Sequence, residues 1–183
     1  MKKFEINPKC VAVYCSSYSG LSSEFVLCAE KIGAGIAAKG FELVYGGTDC
    51  GLMGVVAKFQ HNNGGKITGI IPTFMINGGL KSNLCDNLIE VPDMALRKSA
   101  MVKQSGAFFI LPGGLGTLDE LFDVLVLKQL QIHNKPVILL NINDYYKPVF
   151  EMIDKGISEG TIKKDYLSLM HFADSADEAL ALI

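Results

Sequence analysis

Glu120 closes a stretch whose residue types and spacing suit the chemistry of phosphate esters: Phe108-Phe109-Ile110-Leu111-Pro112-Gly113-Gly114-Leu115-Gly116-Thr117-Leu118-Asp119-Glu120. Phe108 to Leu111 is apolar without polar alternation, which predicts a strand buried on both faces, and Pro112 ends it because it has no N–H to give a ladder. Gly113, Gly114 and Gly116 lack Cβ atoms, so their backbone amides can close on an anion. A helix expected from about Thr117 adds unpaired first-turn amides and the positive end of its dipole. One turn inside that helix, the Glu120 carboxylate could serve as a catalytic group. Thr117-x-x-Glu120 has equally the spacing of a capping box, in which the two side chains satisfy amides at the helix start. Both roles stay open at this point. Neither a Gly-Lys-Ser/Thr sequence nor G-x-G-x-x-G spacing is present, so the pattern names a phosphate-bearing ligand and not which one.

Three further stretches carry candidate groups. Asp93 is expected to cap a helix carrying Met94, Arg97, Lys98, Met101 and Val102, with Met94, Met101 and Leu96 toward the core and Arg97 at a partly buried edge. The Arg97 fork can grip a phosphate or ribose oxygen bidentately, which a lysine cannot copy, although an Arg-Lys pair is also common on a solvated face. Ser16-Ser17-Tyr18-Ser19-Gly20 follows an apolar run, Cys10 to Cys15, and reads either as a phosphate-holding loop or as a serine-rich turn. Gly46-Gly47 is a second glycine turn after a second strand, Phe41 to Tyr45. Met53, just beyond it, is expected to pack rather than to recognise.

These groups need elements that bring them together. Strands are expected at Cys10–Cys15, Phe41–Tyr45, Lys66–Ile71, Leu88–Val91, Phe108–Leu111, Val137–Ile142 and Ser168–Phe172, with helices between them, and Thr73–Asn87 is expected to be irregular. The helix after Thr117 carries Leu118, Leu121, Phe122, Leu125, Gln129 and Ile132 as one stripe, and Ser175-x-x-Glu178 caps a last short helix. About seven alternations of strand and helix predict an α/β, Rossmann-like doubly wound parallel sheet with helices on both faces, in a single domain over residues 1–183. In such a sheet ligands bind outside the carboxyl ends of the strands, so glycine turns after different strands can meet at one site.

Composition excludes several classes of function. Seventeen Lys and Arg against nineteen Asp and Glu leave a net charge of −2, and no basic stripe offers itself to nucleic acid. Met1-Lys2-Lys3 is followed by Glu5, Asn7 and Pro8 rather than an apolar core, so neither a signal peptide nor a membrane span is expected. The five cysteines, Cys10, Cys15, Cys28, Cys50 and Cys85, form no C-x-x-C pair, which suits reduced thiols in a cytoplasmic protein. His61, His133 and His171 lie far apart without ligand spacing, so no metal is expected.

Pro112-Gly113-Gly114-x-Gly116-Thr117-x-x-Glu120, preceded by Met94-x-x-Arg97-Lys98, resembles the paired signature of the LOG ("lonely guy") family of cytokinin-activating nucleotide phosphoribohydrolases, earlier labelled lysine decarboxylases. The resemblance runs from Val11 to about Gly160 and includes Gly46-Gly47-x-x-x-Gly51-Leu52-Met53-Gly54 and Gln129-Leu130-x-Ile132-His133-x-Lys135-Pro136. It implies hydrolysis of the N-glycosidic bond of a nucleoside 5′-monophosphate, AMP or an N6-modified AMP, to free base and ribose 5-phosphate, without metal or organic cofactor. A non-catalytic nucleotide-binding or carrier protein on the same fold is the alternative. It also implies that Arg97 and Glu120 are catalytic. The phosphate would lie on Gly113, Gly114, Gly116 and Thr117, and Ser16, Gly46, Gly47, Asn83, Met94 and Lys98 would complete the substrate contacts. Family members are usually at least dimers, so a homodimer or higher homo-oligomer is expected. Many members have Met-His-x-Arg-Lys where Ala95 stands here, a third glycine at Thr48, a glutamate at Asn83 and a threonine at Val126.

Overall fold

The computed structural model describes residues 8–183; the expectation about Met1 to Asn7 lies outside the described residues. Seven strands form one parallel sheet: β1 (Cys10–Tyr14), β2 (Glu42–Tyr45), β3 (Ile67–Pro72), β4 (Asn87–Val91), β5 (Ala107–Ile110), β6 (Val137–Leu140) and β7 (His171–Ala173). Their order is β4-β3-β2-β1-β5-β6-β7. The chain builds outward from β1 to β4, then returns to the other side of β1 to lay down β5, pairing Val11 with Ala107 and Tyr14 with Ile110. The strand order therefore reverses between β1 and β5, and the crevice at their carboxyl ends is where an open α/β sheet places its ligand.

Successive residues of each strand enter opposite cores, as the pleat requires. Phe109 and Ile138 pack with Ile32 of α1 (Ser23–Ala38), Val56 of α2 (Gly51–Asn62) and Ala179 of α7 (Ala176–Ala181). Phe108, Ile110 and Leu139 pack on the other face with Met101 of α4 (Met94–Gln104), Leu121 of α5 (Leu115–Gln129) and Ile153 of α6 (Lys147–Ser158). Phe108 through Leu111 is wholly buried, each side chain adding about 1.5–3 kcal/mol to folding. This accounts for the absence of polar alternation in the run.

Several boundaries differ from expectation for physical reasons. A short helix, α3 (Thr73–Asn77), occupies the start of the segment expected to be irregular; Thr73 Oγ1 donates to Glu90 Oε1 (2.6 Å) and Val91 O (3.3 Å), fixing its first turn to β4. α5 begins at Leu115, with Gly114 as N-cap, two residues before the expected start. Val137–Leu140 is the strand expected to run to Ile142, and the chain then makes a 3-10 turn, Ile142–Asp144, with Asn143 and Asp144 both at positive φ. On α4, Met101 is buried as expected, but Met94 and Leu96 are exposed and Arg97 is buried instead. Ser175 does cap α7, accepting from Glu178 N at 3.2 Å.

Candidate active site

Main-chain bonds clasp the loops of the crevice together. Ser16 N donates to Pro112 O (3.1 Å), joining the β1 loop to the glycine turn after β5, and Leu52 N at the start of α2 donates to Ser16 O (2.9 Å). Ser16 Oγ accepts from Tyr18 N at 3.1 Å, which folds Ser16-Ser17-Tyr18 into a tight turn. The glycine turn is braced from behind: Tyr145 Oη donates to Gly113 O and Tyr146 Oη to Leu111 O, both at 2.7 Å. Gly113 tolerates no side chain, since a Cβ there would lie 2.1 Å from Thr117 Oγ1.

A cleft of about 500 Å³ opens above these loops, lined by Cys15 to Tyr18, by Met53, Met75, Met94 and Arg97, and by Gly114, Leu115, Gly116, Thr117 and Glu120 of the α5 start. Its volume falls in the range of about 300–1,000 Å³ usual for small-molecule sites. A smaller cavity of about 230 Å³, walled by Phe25, Pro112, Gly113 and Tyr145, adjoins it through Ser16, Tyr18 and Gly114. Because α5 starts at Leu115, the amides of Leu115, Gly116 and Thr117 are those its own helix leaves unpaired, and all three residues line the cleft. They form an anion seat at the positive end of the helix dipole.

The earlier helix start removes the capping box. Gly114 holds the N-cap, no side chain caps α5, and Thr117 and Glu120 fall within its first two turns. Glu120 is thus released from main-chain duty and lines the cleft. Burial pushes its carboxyl up, Arg97 and Lys98 pull it down, and Asp119 and Asp123 push it up again, leaving it at about 7.

Arg97 is 7% exposed. Its Nε donates to Ile70 O (3.1 Å) and Nη1 to Met94 Sδ (3.7 Å). Gly46 makes room for Nη2, since a Cβ there would sit 1.9 Å from it. Among the described residues no carboxylate lies within 4.0 Å of the guanidinium. A buried cation without a neutralising partner is costly unless an anion joins it.

Of the residues selected from sequence, Ser16, Met94, Arg97, Gly114, Gly116, Thr117 and Glu120 meet in the cleft, and Gly113 lines the adjoining cavity. Gly46 stands behind Arg97, while Gly47 packs against Ile71 and Leu88 at φ +72°. Asn83 and Lys98 do not line the cleft either. Asn83 is exposed on its loop. Lys98 points to α5, where it pairs with Asp119 at 2.9 Å and Asp123 at 3.8 Å. Cys15, Ser17, Tyr18, Met53, Met75 and Leu115 line the cleft without having been selected. For Met53 the available signal was its position one turn after a glycine loop, where a helix start faces the crevice.

The sequence matches the family model described as "Possible lysine decarboxylase" over residues 53–183. A probable cytokinin riboside 5′-monophosphate phosphoribohydrolase of Oryza sativa subsp. japonica is 38% identical over 93% of this chain and 70% of its own length. A cytokinin riboside 5′-monophosphate phosphoribohydrolase of Arabidopsis thaliana is 39% identical over 92% of this chain and 78% of its own. The chain belongs to the LOG family. Among solved structures, the molybdenum cofactor carrier protein of Chlamydomonas reinhardtii superposes with a TM-score of 0.72 at 23% identity, covering 99% of this chain and 95% of that one. At that identity the likeness is one of fold. The match to the family model begins at Met53, yet the cleft of this LOG chain is also lined by Cys15 to Tyr18, which precede it.

Proposed function

We propose that this chain hydrolyses the N-glycosidic bond of a nucleoside 5′-monophosphate, AMP or an AMP bearing an N6 substituent, releasing the base and ribose 5-phosphate. The names of its relatives support the reaction. The observation that carries it is the pairing, in one cleft, of an amide-lined anion seat with a buried Arg97, which has no carboxylate within 4.0 Å among the described residues, and a Glu120 carboxyl held near 7.

The 5′-phosphate lies on the amides of Leu115, Gly116 and Thr117, and its charge also answers Arg97. The ribose then extends toward Glu120. As the C1′–N bond breaks, its electron pair leaves with the base and positive charge builds on the sugar. Ionised Glu120 stabilises that charge and orients the attacking water, whose oxygen bonds C1′ and whose proton ends on the departing base. Arg97 does not lose its proton near neutral pH, so its part is positioning and electrostatic support.

Incubation with AMP, followed by chromatography, tests the reading. Adenine and ribose 5-phosphate in equal amounts support it; AMP that binds and is recovered intact supports the carrier alternative. The older decarboxylase label requires a lysine to hold pyridoxal phosphate as a Schiff base, and no lysine among the described residues lines the cleft. To the same proposal belong cytoplasmic residence, in keeping with five free thiols, and self-association. Phe122, Val126, Ile162 and Tyr166 border an apolar hollow of about 310 Å³ that a second copy could cover, and light scattering on the purified chain reads its mass.

A further inference from the structure

Three methionines line the cleft, each from a different helix: Met53 from α2, Met75 from α3 and Met94 from α4. Two of the sulfurs are held. The Thr48 hydroxyl donates to Met53 Sδ at 4.0 Å, and Arg97 Nη1 donates to Met94 Sδ at 3.7 Å. The Met75 side chain makes no hydrogen bond to any described residue. Its helix has five residues, tied to β4 at Thr73 and followed by Gly78-Gly79, with Gly79 at φ +76° and residues 77–81 exposed. Met75 is therefore the one thioether of the three that no hydrogen bond holds in place.

Beyond Ser16, Ser17, Tyr18, Thr117, Arg97 and Glu120, every lining residue is apolar, a glycine or Cys15. Among the described residues, no Asn, Gln, Asp or Lys side chain lines the cleft to read the edge of a base. A base carried beyond the ribose meets sulfur and methylene groups instead, and unbranched, polarisable thioethers repack around ligands of different outline.

We propose that Met75 is the specificity-determining residue of this site, setting how much apolar bulk on the base the cleft accepts. The inference rests on the nucleotide reading above. Base selection here is by volume and apolar contact, with Met53 and Met94 as fixed walls and Met75 as the adjustable one.

The test is a competition between AMP and N6-benzyl-AMP, read as the ratio of their kcat/KM values. A change of one methylene in an apolar pocket shifts such ratios roughly 10- to 200-fold. Met75→Ala is expected to move the ratio toward the benzyl nucleotide by about tenfold or more, and Met75→Phe toward AMP by a similar factor. Met152→Ala, on the exposed side of α6 and 62% exposed, leaves it unchanged. A ratio steady within about twofold in both Met75 variants overturns the proposal, because a residue that sets accepted bulk must move it further. If the wild-type protein releases base from neither nucleotide, the hydrolase reading has failed by itself. Dissociation constants for the same pair, measured by calorimetry, then supply the ratio: the same shifts uphold Met75 and their absence overturns it. Failure of both nucleotides to bind sinks both proposals.

Discussion

Replacing Glu120 by Gln should make the protein more stable at alkaline pH while removing most of its turnover. The carboxyl rises from its ordinary 4.5 to about 7 because burial disfavours the ionised form. Between those values the folded chain keeps a proton that the unfolded chain has released, so stability falls as pH climbs through the window. This group's contribution is fully present below about 4.5 and lost above about 7, a difference of about 3 kcal/mol at most. Glutamine keeps the shape and carries no charge, so Glu120→Gln and wild type should melt together at pH 4. By pH 8.5 they should separate by roughly 6–12 °C, given 2–4 °C per kcal/mol at this chain length. Differential scanning calorimetry across pH 4–9 reads the gap. In the same variant kcat should fall by about 10²- to 10³-fold, the usual loss on removing one preorganised electrostatic group. A variant less stable than wild type at every pH, with turnover intact, would show Glu120 to be a structural group and refute the argument.

The remaining predictions follow from the same geometry. The wild-type kcat/KM for AMP should rise with pH to a plateau above about 7, as Glu120 ionises, and Glu120→Gln should abolish that limb in a pH-rate profile. Arg97→Lys should cost about as much activity as Arg97→Ala, roughly 10²-fold, because an ammonium cannot both donate to Ile70 O as Nε does and present a fork to the cleft. Gly46→Ala places a methyl 1.9 Å from Arg97 Nη2, the movable end of a flexible side chain; isothermal calorimetry should find AMP binding weakened about tenfold, with Tm lowered by only a few degrees. Lys98→Ala, which removes a partly exposed pair with Asp119, should change KM for AMP by less than about threefold, as surface pairs contribute little.

Much of this architecture was legible because the sheet is buried on both faces. Phe108–Leu111 and Val137–Leu140 admit no polar residue, so their strands announce themselves, and the switch point follows from strands alternating with helices. The start of α5 was hidden because Gly114-Leu115-Gly116 reads as turn by propensity, whereas here the helix opens inside it. That two-residue difference takes Glu120 out of the capping position, since a helix beginning at Thr117 would have made it a cap. Contacts distant along the chain left no trace in local pattern. Lys98 was drawn to Asp119, and Tyr145 reaches the Gly113 carbonyl from the segment after β6. Asn83 was carried over from the family resemblance alone, and its loop leaves it in solvent.

The helix that opens at Leu115 works as a ruler. Its pitch advances about 1.5 Å per residue, so three residues set the offset between the last amide of the seat, at Thr117, and the carboxylate of Glu120. That offset is a length stored in backbone geometry, and under the proposed reaction it is the span from the 5′-phosphate, across a single methylene, to the sugar. A 3′-phosphate would present its ring out of register, and a nucleoside without phosphate would have nothing to measure from. One residue inserted between Gly116 and Glu120 would swing the carboxylate about 100° around the helix axis, leaving the seat intact and the ruler pointing elsewhere.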